Sequence, residues 1–399
     1  MRELLTPERC LPADGCAGTL IGRAWVPGTH PGPSPVAVRG DGVFDIARGA
    51  APTVSELLNA DDPVALVRAA ATDAPRLGSG EELLANSAAE EGQDPSKPYL
   101  LAPCDLQAVK AAGVTFVSSL LERVIEEQTR GDPARAAEVR ARIDGIVGGD
   151  LRAIKPGSEA AARLKELLVE RQAWSQYLEV GIGPDAEIFT KCQPMSAVGP
   201  GADIGLHPRS SWNNPEPEVV LAVSARGRIV GAALGNDVNL RDFEGRSALL
   251  LPQAKDNNAS CAIGPFIRLF DPTFGLDHVR RTEVRLQVDG PDGFTLAGSS
   301  SMAEISRDPE ELVGQMIGRV HQYPDGAVLF CGTMFAPVKD RDHQGGGFTH
   351  KAGDVVTIAC PELGALINRV GTSDAVAPWT FGAGALMRSL AARGLLGEP

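Results

Sequence analysis

Asn214-Pro-Glu-Pro-Glu-Val-Val-Leu-Ala-Val223, Ser224-Ala-Arg-Gly227 and Arg228-Ile-Val-Gly-Ala-Ala-Leu-Gly-Asn-Asp237 run on from one another, and their reading decides the fold. Two apolar runs, Val219 to Val223 and Arg228 to Leu234, flank a short turn containing glycine, which is a β-hairpin signal. Glu216 and Glu218 stand two apart, so in extended chain both side chains lie on one face. Pro215 and Pro217 favour extended backbone, because proline fixes its own φ and disfavours helix for the residue before it. The interior of a central strand excludes them, so the glutamates belong to an edge or a strand entry. A loop at 225–228 makes 224 face 229, 216 face 237 and 218 face Gly235. All three acidic residues then share one side, with room left at Gly235. A shift of one residue would turn Asp237 to the opposite face. Three converging carboxylates repel one another unless a cation joins them. Hard oxygen ligands suit Mg²⁺, with Mn²⁺ as the alternative. A solvated acidic strand end has the same spacing, and both readings stand at this point.

Outward from the hairpin, the C-terminal half is β-rich from Glu179 onward. Further strands are expected at 283–288, 294–297, 327–335 and 353–360, and Asp308-Pro309 opens a helix near 309–318. The middle of the chain is helical. Asp105 to Thr129 carries Phe116, Leu120, Leu121 and Ile125 at helical spacing. Asp132-Pro133 starts a second helix that should stop at Gly148-Gly149. Ser158 caps a third running to about Tyr177, with Leu164, Leu167, Leu168 and Trp174 as its core face. Short strands separated by Pro-Gly and Gly-Asp-Gly fill 17 to about 75, with a helical stretch from Thr53 to Ala71 turned at Asp61-Asp62-Pro63. The polar stretch Gly78 to Lys97 reads as a linker, which puts a boundary near Tyr99. The expected organisation is a β-rich N-terminal domain over 1–98 and a larger domain over 99–399 with a helical segment at 105–177. Strands and helices come in blocks, so the class is α+β.

The bulk composition excludes several functions. A net charge of -13 disfavours nucleic acid and anionic membrane surfaces, which need clustered Lys and Arg. No apolar run approaches the length of a membrane span, and Met1 to Cys10 lacks the apolar core of a secretory signal. Seven cysteines without a C-x-x-C suit reduced thiols in a cytoplasm. Six scattered histidines show no zinc spacing, which again favours an oxygen-ligand metal.

Taken with Gly235-Asn-Asp-Val-Asn-Leu-Arg-Asp-Phe-Glu-Gly245 and Leu251-Pro-Gln-Ala-Lys-Asp-Asn-Asn-Ala-Ser-Cys-Ala-Ile-Gly-Pro265, the hairpin resembles the fumarylacetoacetate hydrolase family. E-x-E, then N-D-x-x-x-R-D, then lysine is specific in combination. The likeness is strongest to the family's 2-keto-3-deoxypentonate dehydratase branch and runs over most of the chain. It takes in Gly113-Val-Thr-Phe116, Trp174-Ser-Gln-Tyr-Leu-Glu-Val180, Asp185-Ala-Glu-Ile-Phe-Thr-Lys191, His321-Gln-Tyr-Pro-Asp-Gly326 and Gly347-Phe-Thr-His-Lys351. The resemblance implies a mixed β-roll catalytic domain with a smaller N-terminal domain, working as a homodimer or homotetramer. It matches Glu216, Glu218 and Asp237 to the metal ligands, Lys255 to the active-site lysine, Glu187 to a dehydratase glutamate and Arg241 to the motif arginine. Hydrolase members carry a water-activating histidine where this chain has Ser119, which speaks for the dehydratase branch.

The implied reaction is Mg²⁺-dependent dehydration of 2-keto-3-deoxy-D-xylonate to 2,5-dioxopentanoate through a stabilised enolate, in pentose breakdown. The preferred C4 epimer stays open. Lys255 is the candidate base, expected below its ordinary pKa beside a dication, or else a charged group that binds the substrate carboxylate. Glu187 is the candidate acid, or another salt-bridging carboxylate. Arg241 is expected to contact substrate or to brace Glu216 and Asp237, or simply to make a structural ion pair. Thr333, Ser260 and Asn257 are expected substrate contacts, while Cys261 belongs to the core. The alternatives are C–C hydrolysis of acylpyruvates or fumarylacetoacetate-like substrates, oxaloacetate decarboxylation, and a non-catalytic sugar-acid binder.

Overall fold

A computed structural model of the chain describes residues 1–88, 92–136, 138–140, 154–170, 174–335, 337–343 and 347–396. In chain order the strands are β1 (Leu20–Val26), β2 (Gly32–Arg39), β3 (Gly42–Asp45), β4 (Arg76–Gly78), β5 (Tyr99–Leu101), β6 (Ala108–Ala112), β7 (Ile188–Cys192), β8 (Asp203–Leu206) and β9 (Asn213–Asn214). They continue with β10 (Pro217–Val223), β11 (Ile229–Asp237), β12 (Asn239–Leu240), β13 (Cys261–Leu269), β14 (Glu283–Asp289), β15 (Thr295–Ser301), β16 (Ala327–Phe330), β17 (Val355–Cys360) and β18 (Gly364–Thr372). Eleven of them form one sheet in the order β4-β3-β2-β1-β13-β11-β10-β16-β6-β7, with β5 also paired to β1. A second sheet runs β15-β14-β17-β18-β8, and β12 and β9 make a small ribbon. Mixed sheets with helices set around them make an α+β fold.

The β10–β11 hairpin lies near the middle of the large sheet, buried on both faces. Val219, Leu221 and Val223 pack with Leu286, Phe348 and Ile358 on one side. Val220 and Ala222 pack with Ile263, Phe330 and Val230 on the other. Burial on both sides is why these strands read as unbroken apolar runs. Pro217 is tolerated because it is the first residue of its strand.

Glu218 pairs with Gly235 and Pro217 with Asn236, and the Asp237 amide donates to the Glu216 carbonyl at 3.1 Å, as the sequence register requires. The turn itself differs. Val223 pairs with Ile229, and a bulge between Ala222 and Val223 absorbs the extra residue, so the shorter loop leaves the far end in register. The space at Gly235 is also used differently. A Cβ there would lie 2.3 Å from Phe330 Cε1 and 2.5 Å from Val220 Cγ2, so the glycine admits a core ring and not a ligand.

Elsewhere local chemistry sets the element ends. Thr53 and Asp62 cap the helices Val54–Asn59 and Pro63–Asp73 through the Glu56 and Ala65 amides. The stretch expected as a linker contains the helix Gly80–Ser87. Ser79 and Glu82 form a capping box there, and Leu83 and Leu84 are buried. The expected boundary at Tyr99 falls on β5, which pairs with β1. Since β1 also pairs with β13, the sheet is continuous from the N-terminal strands into the C-terminal ones.

The first middle helix is shorter than its periodicity suggests. Ala108–Ala112 is a strand parallel to β16, and the helix is Val117–Thr129. Asp132 caps only a short 3₁₀ turn at Pro133–Arg135, and Gly148-Gly149 lies outside the described residues. Ser158 accepts from the Ala161 amide at the start of Glu159–Glu170, and Ser175 caps a separate helix, Gln176–Ile182. Leu168 is buried and Leu164 partly so. Leu167, beside their i, i+4 stripe, is 41% exposed. Strand β16 stops at Phe330, short of the expected 335, because the chain turns at Gly332 (φ +109°).

Candidate metal centre and cleft

Ligand oxygens of Glu216, Glu218 and Asp237 lie within 4.8 Å of one another, and all three residues are buried. The hairpin supplies them from three positions: the approach to β10, its second residue and the last residue of β11. Each carboxylate is held differently. The Gly332 amide donates to Glu218 Oε2 at 2.7 Å, and Thr333 Oγ1 lies 3.3 Å from Oε1. The turn that ends β16 therefore fixes this ligand. Glu216 takes the guanidinium of Arg123 on one oxygen and Lys255 Nζ on the other at 2.6 Å. Asp237 takes Lys255 Nζ at 2.9 Å on Oδ2. Its Oδ1 faces the Lys191 ammonium at 3.0 Å without hydrogen-bond geometry.

The charges polarise one another. Burial raises the Glu216 carboxyl, but Arg123 and Lys255 outweigh it and bring the pKa down to about 2. Burial, followed by repulsion from Asp237 and Glu216, drives Glu218 well above the usual carboxylate range, and the opposition from Lys255 and the Gly332 amide is the weaker influence. For Lys255, burial favours the neutral amine, yet Asp237, Glu216 and Glu244 overcome it and raise the pKa. The expectation of a lowered lysine concerns a site holding a dication; without the ion, the carboxylates around the amine outweigh its desolvation.

This donor set fits a hard divalent cation. It is all oxygen, Asp237 Oδ1 accepts no hydrogen bond among the described residues, and Glu218 sits in repulsion that a shared positive charge would relieve. Glu216, Glu218 and Asp237 would hold the ion.

Glu187 opens the other side of the site. It stands just before β7, and alternation puts Glu187, Phe189 and Lys191 on one face. Lys255 Nζ lies 5.6 Å from the Phe189 ring centroid. Glu187 lines an open cavity of about 490 Å³ with Trp174, Tyr177, Val180 and Ala248. Burial raises its pKa, Arg123 and Lys255 oppose this, and Glu216 and Asp237 add to it. Gly113 makes room for it, since a Cβ there would fall 1.9 Å from Glu187 Oε2.

The other candidates are placed differently. Arg241 is 2% exposed. It gives Nε to Glu126 at 2.6 Å, Nη2 to Glu122 at 2.9 Å and Nη1 to the Pro337 carbonyl at 3.3 Å, with its guanidinium over Trp212. Each of the three nitrogens has a protein partner, which fits the structural ion pair among the readings of this residue. Ser260 Oγ donates to the Lys255 carbonyl at 2.6 Å and accepts from the Asn257 amide at 3.0 Å, while Asn257 Nδ2 donates to the Gln253 carbonyl at 2.9 Å. Both bond within the loop behind Lys255. Thr333 bonds to Glu218. Ser119 Oγ donates to the Phe116 carbonyl at 2.9 Å inside its helix.

The sequence reading passed over Arg123, Glu126, Lys191 and Glu244. Arg123 joins Glu216 to Glu126, and its Nη1 lies 3.3 Å from Glu244 Oε2. Lys191 Nζ donates to the Lys255 carbonyl at 2.6 Å and the Val238 carbonyl at 3.2 Å. Their signal was present as charges on otherwise apolar faces: Arg123 and Glu126 beside Leu120 and Val124, and Lys191 two after Phe189.

Residues 169–371 match the fumarylacetoacetate (FAA) hydrolase C-terminal model. A probable 2-keto-3-deoxyxylonate dehydratase of Haloferax volcanii is 33% identical over 196 residues, 49% of this chain and 64% of that protein. A 2-dehydro-3-deoxy-D-arabinonate dehydratase of Saccharolobus solfataricus is 32% identical over 184 residues, 46% of this chain and 58% of that protein. The matched part thus spans less than two thirds of either relative. Among solved structures, 2-keto-3-deoxy-D-arabinonate dehydratase complexed with magnesium and 2,5-dioxopentanoate superposes with a TM-score of 0.59 at 21% identity, covering 88% of this chain and 99% of that one. A fumarylacetoacetate hydrolase from Exiguobacterium antarcticum gives 0.54 at 18%, covering 89% and 99%. At these identities the likeness is one of fold. The matched segment covers just over half of the chain and contains the hairpin that gathers the three carboxylates, and this protein belongs to the fumarylacetoacetate hydrolase family.

Proposed function

We propose that this protein dehydrates a 2-keto-3-deoxypentonate to 2,5-dioxopentanoate, using Mg²⁺ held by Glu216, Glu218 and Asp237. One observation carries the reading: an all-carboxylate centre with the Lys255 ammonium between Glu216 and Asp237, close enough to Glu187 for their charges to act on its carboxyl. The two relatives named as dehydratases of such acids support the substrate class.

When bound, a divalent cation supplies Lewis acidity to the keto-acid end of the substrate. The remaining steps belong to side chains. Lys255 keeps its proton while Glu216 and Asp237 direct their charge at it. With a dication held by those carboxylates, Lys255 would give up its proton to solvent and, as the neutral amine, would take one from C3. Glu187, raised toward its protonated form, gives a proton to the departing C4 hydroxyl. The C3–H and C4–O bonds break and water leaves; the resulting enone then loses a C5 proton and regains one at C3, giving the C4=C5 enol, which takes a proton at C4 and loses its hydroxyl proton to become the aldehyde. Thr333 and the Gly332 amide keep Glu218 oriented throughout. Ser119 lies buried with its hydroxyl committed to Phe116, which disfavours the hydrolytic alternative.

The test is aldehyde formation by purified protein with Mg²⁺ and 2-keto-3-deoxy-D-xylonate, with the L-arabinonate-derived C4 epimer in parallel. We expect turnover of the D-xylonate-derived acid, and the ratio of kcat/KM values assigns the epimer. Cleavage of an acylpyruvate without aldehyde from either acid would replace this reading with hydrolysis. Glu187→Gln should lower kcat with little change in Mg²⁺ affinity.

A further inference from the structure

The cavity that Glu187 lines is lined by Tyr177 as well. Ser175 caps the helix Gln176–Ile182, on which Tyr177 and Val180 stand three apart and so share a face. Both belong to the cavity wall. The Tyr177 ring packs in the apolar cluster of Leu120, Val124 and Ile182. Its hydroxyl lies in a charged setting. Burial raises its pKa, Glu244 adds to this, Arg123 opposes it, and Glu187 and Glu126 add again. The phenol therefore stays protonated, close enough to Glu187 and Arg123 for their charges to act on it.

A buried tyrosine hydroxyl ordinarily finds a hydrogen-bond partner. None of the described residues supplies one here, and Tyr177 bonds only through its backbone amide, to Ser175 Oγ at 3.1 Å. The oxygen is not one of the sealed polar atoms, such as Trp212 Nε1 or the Asn239 amide, so it opens on the cavity it lines. The rest of the wall limits what can sit there. Trp174, Val180 and Ala248 are apolar surface. Glu179 is paired with Lys165. Among the described residues no lysine or arginine lines the cavity. A carboxylate brought here would face Glu187 without a counter-charge, and an unpaired, desolvated anion is strongly disfavoured. An uncharged hydroxyl meets the unused Tyr177 hydroxyl, with apolar wall for the carbon that carries it.

We propose that Tyr177 sets specificity for the tail of the substrate. Its hydroxyl hydrogen-bonds the terminal C5 hydroxyl, so the cavity selects an uncharged hydroxymethyl end over a methyl or a carboxylate one. The inference rests on the dehydratase reading. That reading puts the keto-acid end at the carboxylate centre and C4 at Glu187, and C5 is the next atom outward, into the cavity that Glu187 lines.

Two acids of the same C4 configuration are the probes: 2-keto-3-deoxy-D-xylonate and its 5-deoxy analogue, 4-hydroxy-2-oxopentanoate. Loss of each with Mg²⁺ is followed by proton NMR. Wild type should prefer the hydroxylated acid in kcat/KM by about ten-fold or more, because a wall group that bonds a hydroxyl is left unpaired against a methyl. Tyr177→Phe should lower kcat/KM for the hydroxylated acid by about that factor, chiefly through KM, and leave the 5-deoxy acid within about two-fold of wild type. The preference is then erased, with Mg²⁺ affinity unchanged. A third acid, 4-hydroxy-2-oxoglutarate, carries a carboxylate at C5 and should be the poorest substrate of wild type. A merely structural tyrosine would lower the first two acids alike, and that result overturns the inference. So does a wild type without the preference, or a preference that survives in Tyr177→Phe. These outcomes leave dehydration itself standing. If wild type dehydrates none of the acids, the dehydratase reading falls and this inference falls with it.

Discussion

Glu187 and Gly113 show how one side chain depends on the absence of another. The Glu187 carboxylate occupies the space a Gly113 Cβ would take, at 1.9 Å from Oε2. In Gly113→Ala the flexible carboxylate yields before the backbone does. The expected result is a fall in kcat of about ten-fold or more, equivalent to about 1.4 kcal/mol of barrier, with the melting temperature within a few degrees of wild type. An equal drop in stability would mean that the strand, not the acid, had moved. Glu244 permits a second residue-level prediction. Burial raises its carboxyl from 4.5 to about 7. The folded metal-free protein therefore takes up this proton more readily than the unfolded chain. That stabilisation is complete below about pH 4.5 and is lost as pH rises through about 7, a change of about 3 kcal/mol at most. Denaturant midpoints of metal-free protein should fall from pH 5 to 7.5, and Glu244→Gln should reduce the slope, with Glu187 and Glu218, which burial also raises, acting in the same direction. Glu216, brought down to about 2, contributes its change only in stronger acid and leaves that window clear. The ligand carboxylates were legible because E-x-E before an apolar run has few placements. Arg123 and Glu244 were not, because a buried network is assembled from residues distant in sequence whose partners only the fold identifies.

The hairpin is the element on which the site depends, and its register was readable from polarity alone. A residue counted too many in the turn is returned by the bulge at Ala222–Val223, so Glu216 still meets Asp237. What polarity could not convey is how crowded the strand pair is. Gly235 lies opposite Glu218, with the Phe330 ring above its Cα. Gly235→Ala overpacks this contact, at a cost of about 1–3 kcal/mol. Because Phe330 immediately precedes the turn that delivers the Gly332 amide to Glu218, the same change should weaken Mg²⁺ binding. Calorimetric titration and thermal melts would check both effects, and Phe330→Leu in the same chain should restore part of each. A stability loss without any change in Mg²⁺ affinity would uncouple the ring from the ligand. The helices were less legible than the hairpin for a related reason. Ala108–Ala112 has neutral local preference, and its parallel pairing with β16 decides its state, a contact between residues more than 200 apart in the chain. The helix Gly80–Ser87, by contrast, is announced locally by Ser79 and Glu82 and was obscured by the polarity around it.

At the scale of the whole molecule, the excess of buried acid is concentrated around one centre. There Glu126, Glu216, Glu218, Asp237 and Glu244 are buried against Arg123, Lys191, Arg241 and Lys255. The imbalance falls on Glu218, which is pushed toward its neutral form, in a chain whose net charge is already -13. Folding without a cation therefore carries a repulsion that a bound dication relieves, and metal affinity becomes fold stability. Ligand at a hundred times its Kd should add about 2.7 kcal/mol, seen as an upward shift of the melting temperature on adding Mg²⁺. Glu218→Gln separates the two effects. A glutamine resembles the protonated acid and can still accept from the Gly332 amide, so the metal-free variant should melt at or above the metal-free wild type. It should also gain almost nothing from Mg²⁺, because one ligand and its charge are gone. A variant less stable than wild type without metal, yet still strengthened by Mg²⁺, would show that Glu218 serves packing more than the ion. The opposite outcome would identify the buried acid as a stability cost that the fold carries in order to hold a cation.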